Sequence, residues 1–346
     1  MQFLTVESSE IIRNYGLVAA ALIGFPLAIW RSYIAHKQTE SIRKQAGISA
    51  DNHLAETYTK AIDQIGDDND AIKLGGLYAL EKIALSNQEY HGQIMEVLSA
   101  FVRLHAPLEV PLPIDESKTS DENQEARPLP TSIIVQAALT IIGRRAVGFD
   151  VEGVPINLSL THLQKADLQK ADLQKADLRR TSLLEADLRE VKLQKADLRW
   201  ADLRAADLRA ADLQKVDFIW ADLREADLRK ADLRGAYLIE ADLQNAGLRE
   251  ADLREAYLIE ADLRKADLRK ADLRAADLME ANLTGADLRE ADLREADLTG
   301  ADLREADLTR AILTVEQIKS ATIDKDTVIP ESIDPTALPP HSGHKG

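Results

Sequence analysis

One five-residue phrase repeats without interruption through nearly half of this chain, and few folds can accommodate it. Every fifth residue from Leu158 to Leu313 is leucine except Phe218, which makes 32 consecutive central positions. Five residues turn an α-helix by about 500°, so a helix would spread these leucines around its whole surface. A flat strand alternates its faces every two residues, so it would not keep them on one side either. The repeat therefore needs a chain that turns a corner in each period.

The residues around each leucine define an inner and an outer surface. The position two before the leucine is alanine, with five exceptions: Ile156, Thr161, Thr181, Val191 and Val216. Residues two apart in an extended segment point the same way, so alanine and leucine face inward while the other three face outward. Four such sides close a square coil of 20 residues, and the 32 repeats make eight coils. At a spacing of about 4.8 Å, the predicted rod is about 38 Å long.

The phrase Ala226-Asp227-Leu228-Arg229-Lys230 is typical of the whole region. In this pattern the chain resembles the pentapeptide-repeat family, whose fold is a right-handed quadrilateral β-helix. The resemblance covers residues 156–313 and implies a mainly β protein with about eight coils. The segment Leu313-Thr314-Val315-Glu316-Gln317-Ile318 resembles the ending common in this family. A C-terminal cap is also required physically, because an open coil end exposes unpaired strand edges.

Composition and charge exclude several classes of function. The chain of 346 residues has no cysteine, which excludes disulfides, thiolate metal sites and cysteine nucleophiles. Its net charge of −16 argues against binding of nucleic acid through phosphates. The seven histidines show no ligand spacing, and there is no phosphate-binding glycine loop, nucleophile elbow or zinc motif. We therefore predict no enzyme activity, catalytic residue, metal, cofactor or small-molecule substrate.

The N-terminus predicts a membrane anchor. The run from Tyr15 to Trp30 carries no charge and lies between Arg13 and Arg31. Its 16 residues are fewer than the roughly 20 that span a bilayer, but the span extends over residues 11–34 if both arginines snorkel. The basic residues after it place the C-terminal region in the cytoplasm by the positive-inside rule. The expected localisation is the bacterial inner (cytoplasmic) membrane, with a single pass. A cleaved signal peptide and a buried soluble helix are the alternatives.

The segments between the anchor and the rod predict a small helical region. Residues 54–65 carry apolar side chains at helical spacing, and Ile72–Ala84 is similar to a HEAT-type helix. Ile72–Ala84 also resembles the helical region in front of the repeats in membrane-anchored bacterial pentapeptide-repeat proteins. Ser86 and Glu89 have capping-box spacing before a further helix. The predicted divisions are 1–50 for the membrane anchor and juxtamembrane helix, 51–106 for the helical domain, 107–130 for a proline-rich linker, 131–155 for an apolar helix and N-terminal cap, 156–313 for the coil, and 314–346 for the C-terminal cap and tail.

The repeat register also predicts the outer surface of the rod, because residues 20 apart lie one above another. On three sides the outward positions are almost all Asp, Glu, Arg, Lys, Gln or Ala. The remaining side gathers eight large apolar or aromatic residues, with Phe218 behind them. These are Trp200, Ile219, Trp220, Tyr237, Ile239, Tyr257, Ile259 and Met279. An exposed apolar patch rimmed by charge marks a partner site, and Trp and Tyr commonly anchor such sites.

We expect a non-enzymatic, membrane-tethered scaffold or protein-interaction module that binds through this one apolar face of its rod. The occupant is another protein, a second copy of the chain, or the chain's own helical domain. A purely structural interpretation remains, since stacked like residues stabilise neighbouring rungs. The alternative function, implied by the family resemblance, is an acidic DNA mimic that modulates a type II topoisomerase. Against it, residues 156–313 carry 34 acidic and 27 basic residues in interleaved columns, which make a mixed electrostatic field.

Overall fold

A computed structural model describes residues 34–41, 43–45, 52–108 and 130–338. The chain divides into two compact units, residues 1–60 and 61–346. In the first unit, residues 34–41 and 43–45 are helical, and helix α1 (residues 52–65) begins there. The rest of α1 and all later elements belong to the second unit.

The predicted inner-membrane localisation is wrong. Within the described ranges, no helix combines the length and the apolar character that crossing a bilayer requires. The predicted span, residues 11–34, lies outside those ranges except for Ile34. Its uncharged run of 16 residues was also shorter than the roughly 20 that cover the hydrocarbon layer. The predicted linker, residues 107–130, lies outside the described ranges as well, except for residues 107, 108 and 130.

Three helices form a small bundle at the start of the second unit. Helix α2 spans Asp70–Ser86, α3 spans Gln88–His105 and α4 spans Ile133–Gly143. A 3₁₀ turn follows at Val147–Phe149 and contacts α3. The side chain of Asn87 caps α3 by accepting hydrogen bonds from two N–H groups of its first turn. The predicted capping role of Ser86 therefore belongs to its neighbour, because Ser86 is still the last residue of α2.

The bundle is held together by apolar packing and by one close backbone approach. Leu77, Leu80, Ile94, Leu98 and Leu139 are completely buried among the three helices. At Gly76, an added Cβ would lie 2.8 Å from the carbonyl oxygen of Ala61 in α1. Helix α2 can pass α1 at this distance only because residue 76 has no side chain.

The repeats form a four-sided coil. Parallel β-bridges join outward residues one coil apart, such as Asp187 with Asp207 and Asp207 with Asp227. Each side of each coil contributes one such bridge, and the same pattern continues to the end of the repeats. The central leucines from Leu158 to Leu308, and Phe218 among them, are at most 2% exposed. The core is therefore one continuous ladder of leucine, with the small alanines beside it.

The chemistry of one pentad explains why this phrase folds as it does. The N–H groups of Asp227, Leu228 and Lys230 donate to carbonyls of the neighbouring coils, at 2.9, 2.7 and 3.1 Å. The N–H of Ala226 closes a turn onto Leu223, and that of Arg229 donates to its own Asp227 carboxylate at 3.2 Å. All five backbone donors are thus satisfied, as a tightly wound chain requires. The fifth residue makes the corner in the left-handed region, with φ of 62° at Lys230.

Residues outside the repeats form hydrogen bonds with backbone groups at both ends of the coil. At the N-terminal end, the side-chain amide of Gln136 in α4 bonds to the N–H and the carbonyl of Asp167, as a neighbouring strand would. The carbonyl of Gly143 accepts from the Asp172 N–H at 2.9 Å. At the C-terminal end, helix α5 (Val315–Ser320) places Gln317 so that its amide donates to the carbonyls of Leu293 and Ala296. These contacts cover strand edges that would otherwise be open.

Candidate interaction surface

The coil has four faces, which we number in chain order from the one centred on Leu158. The first face carries Leu158 and each central residue 20 positions further, and it departs most from the polar pattern outside. Its three outward columns are the residues before the centre, the residues after the centre and the corner residues. From the third coil onward these columns carry eight large apolar or aromatic residues, which we call the apolar patch: Trp200, Ile219, Trp220, Tyr237, Ile239, Tyr257, Ile259 and Met279.

The structure brings all eight residues of the apolar patch onto this face, in neighbouring columns. Trp200 and Trp220 stack at the corner with ring centroids 4.9 Å apart. Tyr237 and Tyr257 stack before the centre, with centroids 5.1 Å apart and ring planes within 4° of parallel. The three isoleucines and Met279 are half-buried, and their column runs between the columns that hold the tyrosines and the tryptophans. The four rings are between 40% and 45% exposed, so large aromatic surfaces remain open to solvent.

Within the described residues of the second unit, nothing covers the apolar patch. The helices meet the rod at its N-terminal end, where Leu108 bonds to Leu160 and Thr131 bonds to Gln164. These contacts lie in the first coil, whereas the patch begins at Trp200 in the third coil. The helical residues 61–105 of the second unit therefore do not occupy the patch.

Along the first face, arginines lie beside the start of the apolar patch and are replaced by isoleucine further along it. The guanidinium carbons of Arg180 and Arg199 lie 5.4 and 5.9 Å from the centre of the Trp200 ring, within the range of a cation–π contact. Asp217 follows in the next coil, where isoleucine stands in place of the usual arginine. Burial raises the pKa of Asp217, while a hydrogen bond from the Ile219 N–H works in the opposite direction.

The other faces have the opposite character, because their aspartates are bound by arginine. Arg189 clamps Asp187 through Nε at 2.8 Å and Nη2 at 2.5 Å, and this hydrogen bonding lowers the pKa of Asp187. The same clamp recurs at Arg209 with Asp207. Where the next coil also carries an aspartate at this position, several arginines reach it as well, as in Arg209 Nε to Asp227 at 3.6 Å. These faces are closed networks of alternating charge.

A second polar cluster lies outside the coil, where the helices join it. His91 is fully buried, and its Nε2 lies 3.0 Å from Asp150 Oδ1 while its Nδ1 lies 3.1 Å from the carbonyl of Ala84. Asp150 also accepts two 3.0 Å bonds from Nε of Arg145, whose guanidinium reaches the carbonyl of Asp172 in the coil. Sequence reasoning missed this cluster, because 59 residues separate His91 from Asp150 and no local motif links them.

The buried cluster has the contacts of a structural link. Every polar group in it bonds to another part of the chain, and Phe149 covers the imidazole edge-on with ring centres 5.7 Å apart. Among the described residues, no group of histidine and carboxylate side chains is arranged to hold a metal ion. The apolar patch is therefore the best candidate site in the described part of the chain.

Comparison with known proteins gives the family. Pentapeptide repeats match in eight copies, over residues 156–180, 166–204, 201–238, 236–274 and 276–314. No significant match was found among curated proteins.

Solved structures of pentapeptide-repeat proteins are also similar. HetL, a pentapeptide-repeat protein involved in heterocyst differentiation regulation from the cyanobacterium Nostoc sp. strain PCC 7120, is 35% identical, with a TM-score of 0.29. That match covers 50% of this chain and 84% of HetL. The Nostoc protein alr5209 is 36% identical over 33% of this chain and 77% of its own, with a TM-score of 0.26. QnrB1, a plasmid-mediated fluoroquinolone resistance protein, is 18% identical over 44% of this chain and 92% of its own, with a TM-score of 0.23. Through the repeats of residues 156–314, this chain belongs to the pentapeptide-repeat family.

Proposed function

We propose that this chain is a non-enzymatic protein-interaction module, which binds through the apolar patch on the first face of its rod. The observation that carries the proposal is the placement of four aromatic rings, each at least 40% exposed, side by side on a coil whose other faces are charged. Exposed aromatic clusters rimmed by charge are typical of protein-binding surfaces. The stiffness of a stacked coil would hold such a surface in one shape before a partner arrives, which lowers the entropic cost of binding.

One observation argues against the alternative that the patch serves only the stability of the coil: its tyrosines remove backbone hydrogen bonds that a regular pentad makes. In a regular pentad the aspartate before the centre accepts the backbone N–H two residues later, as Asp217 does for Ile219 at 3.1 Å. Tyr237 and Tyr257 replace that aspartate, and the N–H groups of Ile239 and Ile259 have no acceptor among the described residues. The two tyrosines therefore give up one local hydrogen bond each, and binding provides a reason to keep them.

The test is affinity capture with the tagged full chain and with a double variant, Ile239→Lys with Tyr257→Lys. Both changed side chains lie outside the leucine core, so the coil should still fold, and circular dichroism would check this. A matched control is Gly247→Lys with Arg249→Lys, which adds lysine at the same two columns of the third face. We expect a bound protein to be lost with the first variant and kept with the control. Equal recovery by all three chains would refute the proposal.

The DNA-mimic alternative stays a prediction that the geometry does not favour. A mimic of the phosphate backbone needs rows of unneutralised carboxylates, whereas the aspartates of the regular pentads are clamped by arginine, as Asp227 is by Arg229 at 2.5 Å. Inhibition of a type II topoisomerase by the full chain would support mimicry.

A further inference from the structure

The corner between the fourth and first faces separates its charges by sign. Reading along the rod, this corner carries Lys175, Lys195, Lys215, Gly235, Glu255, Ala275 and Glu295. The N-terminal half of the column is therefore basic, and the C-terminal half is acidic. The column borders the apolar patch, since Lys215 and Gly235 lie two residues before Asp217 and Tyr237 of the first face.

Other corners of the same coil arrange their charges differently. At the corner between the third and fourth faces, lysine and glutamate alternate and pair within the chain. Lys170 bonds to Glu190 at 3.8 Å, Lys230 to Glu250 at 3.7 Å and Lys270 to Glu290 at 3.7 Å.

The three lysines beside the apolar patch form no ion pair with any described residue, and neither do Glu255 and Glu295. Like charges on successive rungs oppose each other. The lysines of this column therefore carry charge that no ion pair among the described residues of the rod balances.

The corner on the other side of the apolar patch has the same polarity. It carries Arg180, Trp200, Trp220, Glu240, Glu260 and Glu280, so a cation again stands at the N-terminal end and acidic residues at the C-terminal end. The three glutamates are exposed, and they too form no ion pair within the described residues. Both borders of the apolar patch thus run from basic to acidic along the rod.

The first face is also symmetric in sequence about its middle coil. Two of the three pairs of residues equally distant from Gly235 in the corner column have opposite charges: Lys215 mirrors Glu255 and Lys175 mirrors Glu295, while Lys195 mirrors the uncharged Ala275. In the column after the centre, Ile219 and Ile259 are equally distant from Ile239. A twofold axis through this coil would set isoleucine against isoleucine and lysine against glutamate in these two columns, while Glu240 in the other border would lie against its own copy. The self-complementarity of the two columns is what an isologous interface requires.

We propose that a second copy of this chain occupies the apolar patch, packed face to face and antiparallel, with the twofold axis at the coil of Gly235 and Ile239. The inference rests on the proposed function, because it names the partner of the same surface. Lys215 of one copy then faces Glu255 of the other, and Lys175 faces Glu295. A parallel pair lacks these lysine–glutamate contacts, because it sets the two different borders against each other and brings Glu255 to Glu260 and Lys175 to Arg180.

The first test is the mass of the full chain in solution, measured by sedimentation over a range of concentrations. We expect a dimer. Lys215→Glu turns two attractive contacts of the symmetric interface into repulsive ones, so it should weaken the dimer by about tenfold or more. Combining Lys215→Glu with Glu255→Lys restores opposite charges at both contacts, so the dimer should return. Lys270→Glu, on the far corner, is the control and should change nothing. A monomer at all concentrations, or no rescue by the charge swap, would overturn the inference.

The second test fixes the direction of the two rods, and the absence of cysteine makes it simple. Ile239→Cys lies near the proposed axis, so mild oxidation should link two copies. Arg199→Cys lies two coils away, so its partner would be about 19 Å distant, beyond the reach of a disulfide. Linkage at both positions would indicate a parallel pair and contradict the inference.

The two tests also separate this inference from the proposed function. The chain could stay monomeric and capture a different protein that the Ile239→Lys with Tyr257→Lys variant no longer binds. That result would support the interaction surface and rule out a second copy as its occupant. A chain that is monomeric and captures nothing through this face loses both proposals.

Discussion

The ring of Tyr257 lies directly over that of Tyr237, 5.1 Å away and within 4° of parallel. The spacing of the coils imposes this distance, because residues 20 apart occupy the same place on successive rungs. A change at one column of the repeat is therefore copied along the rod as a stack, without any folding cost in the leucine core. The outward residues of such a rod can therefore be substituted column by column while the leucine core stays the same.

The leucine ladder should be sensitive to a single truncation. Leu238 is completely buried at the middle of the first face. We expect Leu238→Ala to lower the free energy of unfolding by about 2–5 kcal/mol, because a rigid coil collapses poorly into the cavity. Leu238→Lys should prevent the coil from forming, since it buries an unpaired charge. Urea denaturation would measure the first change and circular dichroism the second. A folded Leu238→Lys chain would contradict the inward placement of this column.

The corner position should tolerate glycine better than a β-branched residue. Ala205 turns the corner with φ of 54°, a left-handed conformation that costs L-residues about 1–2 kcal/mol. Ala205→Gly should leave the stability nearly unchanged, because relief of the strain offsets the greater entropy of the unfolded chain. Ala205→Val should be clearly destabilising, because branching at Cβ makes this conformation harder to adopt. Thermal denaturation of the two variants, side by side, is the measurement. Equal melting temperatures would contradict the strain argument.

The inward positions and the corner position of the pentad differ in how far the sequence predicts them. The inward positions were predictable, because a narrow core accepts only leucine and a small neighbour at a fixed period. The conformation of the fifth residue was not predictable from its type, since Lys230 and Glu225 occupy a left-handed corner that usually signals glycine. There the hydrogen bonds between coils override local preference.

Contacts between distant segments were also beyond the sequence. The eight residues of the apolar patch could be placed by register alone, because every coil has the same length. Helices have no such register between them, so the pairing of His91 with Asp150 had no signal in the sequence. The helix boundary at Asn87 was missed for a smaller reason, since Ser86 and Asn87 are both good capping residues.

The clamped aspartates should make the rod sensitive to acid. Hydrogen bonds from Arg189, Arg269 and Arg304 lower the pKa values of Asp187, Asp267 and Asp302 below 3.8. A carboxyl group whose pKa is lower in the folded state adds stability above its unfolded pKa, and this stability is lost as the pH falls through the folded value. The free energy of unfolding should therefore be flat above about pH 5 and fall steadily below about pH 4.

Urea midpoints across this pH range would measure that loss. Replacing the three arginines by glutamine should make the decline shallower, because the carboxyl groups then titrate nearer their unfolded values. An unchanged decline in this triple variant would show that other groups cause the acid sensitivity.

Asp217 should behave in the opposite sense, because burial raises its pKa. At neutral pH the ionised form of Asp217 is disfavoured in the folded chain, so this residue costs stability that is recovered as the pH falls. Asp217→Asn removes the charge and keeps an oxygen for the Ile219 N–H, as Asn282 does for Thr284 at 3.1 Å. We expect the variant to be more stable at neutral pH, with a smaller advantage in acid. Stability curves of both chains against pH would show a gap that closes; a variant less stable at neutral pH would contradict the effect of burial.

The buried cluster of His91, Arg145 and Asp150 should couple the unfolding of the helices to that of the rod. Asp150→Ala leaves the guanidinium of Arg145 and the ring of His91 without their common partner, and both side chains are at most 1% exposed. Removing one member of a buried ion pair costs about 3–5 kcal/mol, because the remaining charge stays out of water. Glu81→Ala is a matched control, since its partner Arg144 is 58% exposed and the pair is worth at most about 1 kcal/mol. Circular dichroism would follow the helices, while fluorescence in a Trp30→Phe background would follow Trp200 and Trp220 in the rod. We expect the helices to unfold at lower urea than the rod in Asp150→Ala alone; a single shared transition in that variant would mean that the cluster does not couple the two parts.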